Sequence, residues 1–340
     1  HLHAGQQNKD KRIEMMNSLI GEHKLGENNI DATELSDYSF IVGDFNFRMN
    51  TTYTEIINKI DNIHDEYELD EFHSIKKEKT HYCGFTEGQK SFKPTYKRKH
   101  KSNGYLNKKE QPPSWTDRVL FKNNSGRKVR LGEYNCFDDF FGSDHRPVFA
   151  LFEFPLVLPD YFQLLRGIYT QDALQNDLTS RIKIDKLKIK RLNLSNFIKG
   201  GDEKLSFPIK WKASFIGDFI SSPGEIKTKT FIIEDILEIQ DGIYFASDFL
   251  PSFTWIPNVI KWMQQWRMML KITFSGKNIN FDSYSSILLN KIEEKGLCTE
   301  IKNNNLISMN SKVGVADIAM TYSDVKDIDH QYDNDEETKS

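Results

Sequence analysis

The apolar positions of the chain follow two regimes that change near Pro155. In the first, short apolar runs alternate with stretches of helical spacing. Residues 10–20, DKRIEMMNSLI, carry Ile13, Met16 and Ile20 at helical intervals, which predicts a helix with Gly21 as its stop. The run Phe40–Val42 in YSFIVGDFNFRM predicts a buried strand that ends in a loop at Gly43 and Asp44. Ile56, Ile57, Ile60 and Ile63 share one broad face and predict a second helix over 53–64. A turn at FTEG, a basic loop around FKPTYK, and two strand-like runs, DRVLFK and RPVFALFEF, follow. Short strands alternating with helices predict an α/β or α+β layered domain.

Beyond Pro155 the spacing changes. Residues 155–184 read as a helical connector, and the pattern then becomes β-rich through KLKIKRLNL, FPIKWKASFI, IKTKTFIIEDI, MLKITFSG and KVGVADIAMTY. Several short strands separated by turn signals predict a mostly β sandwich domain over 185–323. Within it, Trp262 and Trp266 stand one helical turn apart, preceded by Phe249, Phe253 and Trp255. Core packing is the commoner use of such aromatics, and a membrane-inserting loop is the alternative. The segment 324–340 is acidic and lacks apolar periodicity, which predicts disorder.

Composition narrows the function classes. With 38% hydrophobic residues in 340, the chain can build two cores. A net charge of −3 argues against a protein that wraps nucleic acid. Three scattered cysteines exclude a disulfide framework and suit a reducing, cytoplasmic compartment. No run is long and apolar enough to span a bilayer as a helix, and no signal-peptide pattern opens the chain. The start, HLHAGQQ, has no methionine and reads as the continuation of an upstream segment.

Three strand ends carry candidate chemistry. In GDFNFR, Asp44 and Asn46 are two apart, so an extended backbone would point both side chains one way, a carboxylate to take a proton beside an amide to hold an oxygen. An Asx turn explains the same residues without chemistry. In GSDHRPVF, His145 needs a partner to fix its tautomer, and Asp117 of SWTDRVLFK, at a neighbouring strand end, can supply it. Arg118 reads as a structural ion pair or a phosphate contact. The loop FKPTYKRKHK, with Tyr96, Lys97, Arg98, Lys99 and Lys101, is costly beside carboxylates unless an anion belongs there. A solvated loop, or one facing anionic lipid, is the alternative.

Taken in order, HLHAG, FIVGDFNFR, FTEG, FKPTYK, PPSWTDRVL and SDHRPV resemble the inositol polyphosphate 5-phosphatases of the DNase-I-like superfamily, over residues 1–154. The resemblance implies a DNase-I-like four-layer β-sandwich with flanking helices, of which this chain holds the C-terminal part. It implies Mg²⁺-dependent removal of the 5-phosphate from phosphoinositides or soluble inositol polyphosphates, by a protein peripheral at membranes. Asp44 would activate water, Asn46 would help hold it, and His145, oriented by Asp117, would stabilise the scissile phosphate together with His1. Tyr96, Lys97 and Lys109 would bind a neighbouring 4-phosphate. The principal Mg²⁺ ligands are expected upstream of His1, so the chain alone is expected to be weak or inactive. Gln111 stands where the family has arginine, so 4-phosphate recognition is expected either to be weaker or to move to Arg98 or Lys101. Thr116 replaces the family's usual cysteine, and His3 replaces a small residue. The resemblance leaves the sandwich domain open between C2-like and immunoglobulin-like, and names no protein partner. A silent phosphoinositide-binding scaffold, and another phosphodiesterase or nuclease of the superfamily, are the rival functions.

Overall fold

The computed structural model describes residues 1–26, 29–77, 82, 84–155, 180–199, 204–217, 225–246, 250, 252–255, 267–289, 292, 298–308 and 311–324. Two compact units emerge, the first holding His1–Pro155.

In the first unit, helix α1 spans Lys9–Glu22, and strand β1 spans Tyr38–Asp44. Helices α2, Tyr53–Asn58, and α3, Glu71–Lys77, follow, then strands β2, Phe85–Glu87, and β3, Asp117–Asn123. Strands β4, Arg130–Cys136, and β5, Val148–Glu153, come last. Antiparallel β3 lies between β1 and β2, while β4 and β5 form a separate pair. Side chains alternate across β3 as its pleat requires. Leu120 joins a cluster with Met16, Ile20, Phe72 and Phe85, so α1 and α3 cover that face. Val119 joins Met49, Trp115, Tyr134, Val148 and Phe152, so the second sheet covers the other. The unit is therefore layered: helices, sheet, sheet.

Two expectations change here. The strand at Phe40–Val42 is not buried: Phe40 is 42% and Val42 65% exposed, because β1 is the edge of its sheet. Nor is 53–64 one helix. A capping box at Thr52 and Glu55 starts α2, which stops at Asn58, and a 3-10 segment runs over Ile60–Leu69. Ile56 and Ile63 are nonetheless fully buried, so the apolar spacing was informative where the helix type was not.

Helix α1 also buries a charge. Arg12 lies one turn before Met16 on the inward face, donating to the Gly5 carbonyl at 2.6 Å and to Glu71 at 2.6 Å. It thereby ties residues 3–5 to α3.

Among the described residues, the second unit is one ten-stranded sheet. In sheet order its strands are Glu225–Lys227, Ile209–Ile216, Arg267–Ser275, Asn280–Leu288, Cys298–Ser308, Ser311–Asp324, Ser180–Lys190 and Ile243–Ala246. Phe231–Ile233 also pairs with Ile209–Ile216, and Ser252–Trp255 with Ser180–Lys190. Alternation puts Met268, Leu270, Ile272 and Phe274 in the same core as Ile182, Ile184, Trp211 and Ile318, as expected for a curled β-sandwich, while Met269 is buried outside that cluster. The connector expected to be helical to 184 is corrected at its end, since 180–184 already belong to a strand. Its remainder from 156, Trp262, Trp266 and the tail beyond Asp324 lie outside the described residues, and Trp255 ends a strand.

Candidate active site

Antiparallel pairing sets Asp44, the last residue of β1, directly opposite Asp117, the first of β3. Directly opposed residues present their side chains to the same face about 5 Å apart, an arrangement unfavourable for like charges. Phe45 N–H extends the ladder to the Thr116 carbonyl at 2.7 Å. Two further segments join there. Tyr96 exchanges backbone hydrogen bonds with Ser114, at 3.2 and 2.7 Å. Arg146 N–H donates to the Thr95 carbonyl at 3.0 Å, and Arg98 N–H to the Asp144 carbonyl at 2.8 Å. Residues 95–98 are thus laced between 114 and 144–146, which brings Tyr96 and Lys97 to His145.

The Asp44–Asn46 pair converges by a turn and not by an extended backbone. Asn46 has φ of 54°, the left-handed region that asparagine tolerates. Its N–H reaches Asp44 Oδ1 at 2.8 Å, and its Nδ2 reaches Asp44 Oδ2 at 2.9 Å. This is an Asx turn, so the structural and the chemical explanations of these residues hold together. The other Nδ2 hydrogen goes to the Leu2 carbonyl at 3.0 Å, and Leu2 N–H returns to the Asp44 carbonyl at 2.8 Å. With both amide donors engaged, the Asn46 amide group positions Asp44.

Across the ladder, His145 Nδ1 lies 2.9 and 3.2 Å from the two Asp117 oxygens. Nδ1–H is the donor, which leaves Nε2 facing outward. Thr95 and Thr116 hydroxyls also donate to Asp117 Oδ2, at 2.6 and 2.8 Å, so three donors fix this carboxylate. The Tyr96 ring packs on the imidazole at 4.5 Å between centroids. Lys97 Nζ lies 3.1 Å from Asp144 and 3.4 Å from the Tyr96 hydroxyl.

Electrostatics follow from this crowding. Burial raises the Asp44 pKa above the usual carboxylate range, and the charge of Asp117 adds to it; the Asn46 N–H, His145 and Arg48 pull back without cancelling. Burial pulls His145 down, but the hydrogen bond and charge of Asp117, with Asp44 and Asp144, outweigh it and leave the imidazole raised. The base is held toward its acid form and the histidine toward its cation.

Arg118 points to the opposite side of β3. Its guanidinium is buried, 2.6 Å from Asp70 and 3.0 Å from Glu87, with Lys90 3.5 Å from Asp70. Of the two readings offered by the sequence, it is the structural ion pair. The remaining assignments divide. Arg98 does not present itself to an anion: it is 1% exposed, ion-paired to Asp138, bonded to the Asn103 carbonyl at 3.0 Å and stacked on Tyr105. That corrects the expected phosphate contact, and it removes Arg98 as a stand-in for the arginine replaced by Gln111. Lys109 is exposed in the turn Lys108–Gln111, with no ionic partner among the described residues. His1 is exposed next to Leu2, whose backbone is bonded to Asp44.

Arg48, the last residue of GDFNFR, belongs to the site although its sequence position alone assigns it no role. Its Nη2 donates to Asn46 Oδ1 at 2.7 Å and its Nε to the Asn46 carbonyl at 3.1 Å. Its Cζ lies 4.7 Å from the Tyr96 ring centre, and buried Nη1 has no partner. Arg48 orients the Asn46 amide and joins the two halves of the site. Its only signal in sequence is its place two residues after Asn46.

A hard divalent cation takes about six oxygen ligands. Here Asn46 Oδ1 is taken by Arg48, Asp117 Oδ2 already accepts three donors, and Asp44 turns both oxygens to Asn46. Among the described residues no group of three or more His, Cys, Asp or Glu could hold a metal. The residues present do not complete a cation site.

Residues 1–151 match the model of a family described as Endonuclease/Exonuclease/phosphatase family 2. A nitrophorin of Cimex lectularius is 37% identical over 123 residues, 36% of this chain and 40% of the relative. A phosphatidylinositol 3,4,5-trisphosphate 5-phosphatase 2 of Sus scrofa is 30% identical over 168 residues, 45% of this chain and 13% of the relative. The solved inositol polyphosphate 5-phosphatase domain of SPsynaptojanin, in complex with inositol (1,4)-bisphosphate and calcium ion, aligns at a TM-score of 0.42 and 25% identity, covering 52% of either chain. The chain thus spans 40% or less of the length of these two sequence relatives.

Proposed function

From the match of residues 1–151 to the endonuclease/exonuclease/phosphatase family 2, we propose that the site serves hydrolysis of a phosphate monoester on a polyphosphorylated inositol, as a phosphoinositide or inositol polyphosphate 5-phosphatase. A nitrophorin among the relatives means that likeness alone does not decide between hydrolysis and another use of the fold. The side chains favour hydrolysis. The observation that carries the reading is the Asp117–His145 pair at 2.9 Å facing Asp44 across the end of one ladder.

Asp44 accepts a proton from water as the new oxygen–phosphorus bond forms. The ester oxygen–phosphorus bond breaks, and the leaving alkoxide oxygen takes a proton from solvent water. His145, cationic and anchored through Nδ1, offers Nε2–H to the phosphoryl oxygens as their charge is redistributed. Phosphoryl transfer depends on such positioning and charge neutralisation more than on covalent help. Tyr96 and Lys97, packed beside His145, suit a second phosphate on the neighbouring carbon, with Lys97 exchanging Asp144 for it. By the resemblance a divalent cation, Mg²⁺, supplies further charge neutralisation when bound, and the steps above do not pass through it. The cytoplasmic leaflet of a membrane, or free inositol phosphates in the cytoplasm, would present the substrate.

The test is phosphate release by the full natural protein from phosphatidylinositol 4,5-bisphosphate and from inositol 1,4,5-trisphosphate. Removing the base in Asp44→Ala should lower turnover by about 100-fold or more. Equal release by a folded Asp44→Ala protein would remove Asp44 from the chemistry, and no release from either substrate by the natural protein would leave the silent scaffold.

A further inference from the structure

Two loops rise from the site and are stapled to each other. One runs from Lys97 to Tyr105, the other from Phe137 to Asp144. Buried Arg146 donates to the carbonyls of Lys99 at 3.2 Å and Ser102 at 2.9 Å in the first loop, and of Asp138 at 3.0 Å and Ser143 at 3.1 Å in the second. Arg98 repeats the pattern, with the Asn103 carbonyl on one side and the Asp138 carboxylate on the other. The two guanidiniums satisfy backbone groups that would otherwise leave the loops independent.

What the loops present outward is unusual for a solvated turn. Phe137 and Phe140 are 56% and 52% exposed, while the Phe137 ring is held from behind by Phe149 at 4.7 Å. A tight turn, Phe140 N–H to the Phe137 carbonyl at 3.3 Å, sets both rings on one short tip. Beside them Lys99, His100 and Lys101 are exposed, and Lys99 and Lys101 have no ionic partner among the described residues. The acidic groups of the second loop are Asp138, neutralised by Arg98, Asp139, which is exposed, and Asp144, which pairs with Lys97. Paired aromatics flanked by free lysines match the boundary of an anionic bilayer, where rings enter the acyl edge and lysines meet headgroups. A protein partner would be expected to bury the rings in a pocket and to pair Asp139 as well.

From this arrangement we infer that the joined loops are a docking surface for an anionic lipid membrane, with Phe137 and Phe140 inserting and Lys99 and Lys101 at headgroup level. Because the roots of both loops are Lys97 and His145, docking there delivers a lipid headgroup to the proposed site. This deepens the phosphatase reading and rests on it only for the identity of the headgroup.

The experiment is vesicle co-sedimentation of the full natural protein, with phosphatidylcholine alone and with added phosphatidylserine, which is not the substrate. The bound fraction should rise with phosphatidylserine and fall with salt. Phe140→Ser alone, which leaves the Phe137–Phe149 stack intact, and Lys99→Glu with Lys101→Glu should each weaken binding roughly tenfold. A single Phe140→Trp reporter should shift to shorter wavelength on anionic vesicles. Unchanged sedimentation of both folded variants, or an unshifted Phe140→Trp emission, overturns the docking surface. Hydrolysis separates this failure from the other: Phe140→Ser should slow release from lipid vesicles while leaving release from soluble inositol 1,4,5-trisphosphate at its natural rate. Equal loss on both substrates would also overturn the proposal. Absence of all hydrolysis with binding intact would sink only the phosphatase reading.

Discussion

At the scale of single residues, the site is a balance of two displaced protonations. Asp44 is raised mainly by burial and must lose its proton to act. His145 is raised by Asp117 against burial and must keep its own. Turnover should therefore climb as pH rises through the raised Asp44 value and fall as pH rises through the raised His145 value. The stability owed to cationic His145 has the same sign: present below the free imidazole value, lost as pH climbs through the folded one. Asp117→Asn should shift the alkaline limb to lower pH and cut turnover by about 100-fold, and an NMR titration of the His145 ring should move with it. Arg48 acts through Asn46. Arg48→Met should lower kcat roughly tenfold with little change in KM, and push the acid limb upward because one positive charge near Asp44 is gone. Arg48→Lys should restore the limb better than the rate, since an ammonium lacks the planar fork. Unmoved limbs in both variants would make Arg48 a packing residue only.

At the scale of elements, strand register separates function from structure. Asp117 and Arg118 are neighbours in sequence, yet one faces His145 and the other a buried cluster of Asp70, Glu87, Lys90 and Tyr134. Removing one member of such a cluster leaves its partners charged and dry. Asp70→Ala should cost about 3–5 kcal/mol in denaturant unfolding, while Glu68→Ala, an exposed partner of Lys77, should cost under about 1 kcal/mol. The Asp70 carboxyl is held low by Arg118 and Lys90 against the cost of its burial, so its contribution is kept at neutral pH and lost only as pH falls through that lowered value. The pairing of Asp117 with His145 was legible in the sequence because both mark strand ends with a shared motif order. The uses of Arg98 and Arg146 were not. A guanidinium that captures carbonyls from two loops reads, residue by residue, like one waiting for phosphate, and only the chain's return past itself distinguishes them. The edge position of β1 was hidden for a related reason: an apolar run states that a strand forms, not which neighbours it has.

At the scale of the whole molecule, each unit has its own core, and each answers to its own sequence rule. Alternation made the strands of the second unit legible, including Arg267–Ser275, while the closing of ten strands into one sheet depends on pairings between distant segments. Ile272→Ala should destabilise that unit by about 2–5 kcal/mol, read from its denaturant unfolding. The threonine at 116 has a consequence for how the protein meets electrophiles. Where the resembling family usually has a cysteine, this chain places a hydroxyl hydrogen-bonded to Asp117. Of the described cysteines, Cys298 is exposed in the second unit, and Cys136 has its thiol pKa pushed up to about 12 by burial and by Asp138. A thiolate is the nucleophile in alkylation and peroxide attack, so among the described residues Asp117 and His145 have no cysteine thiolate beside them for maleimide or peroxide to modify.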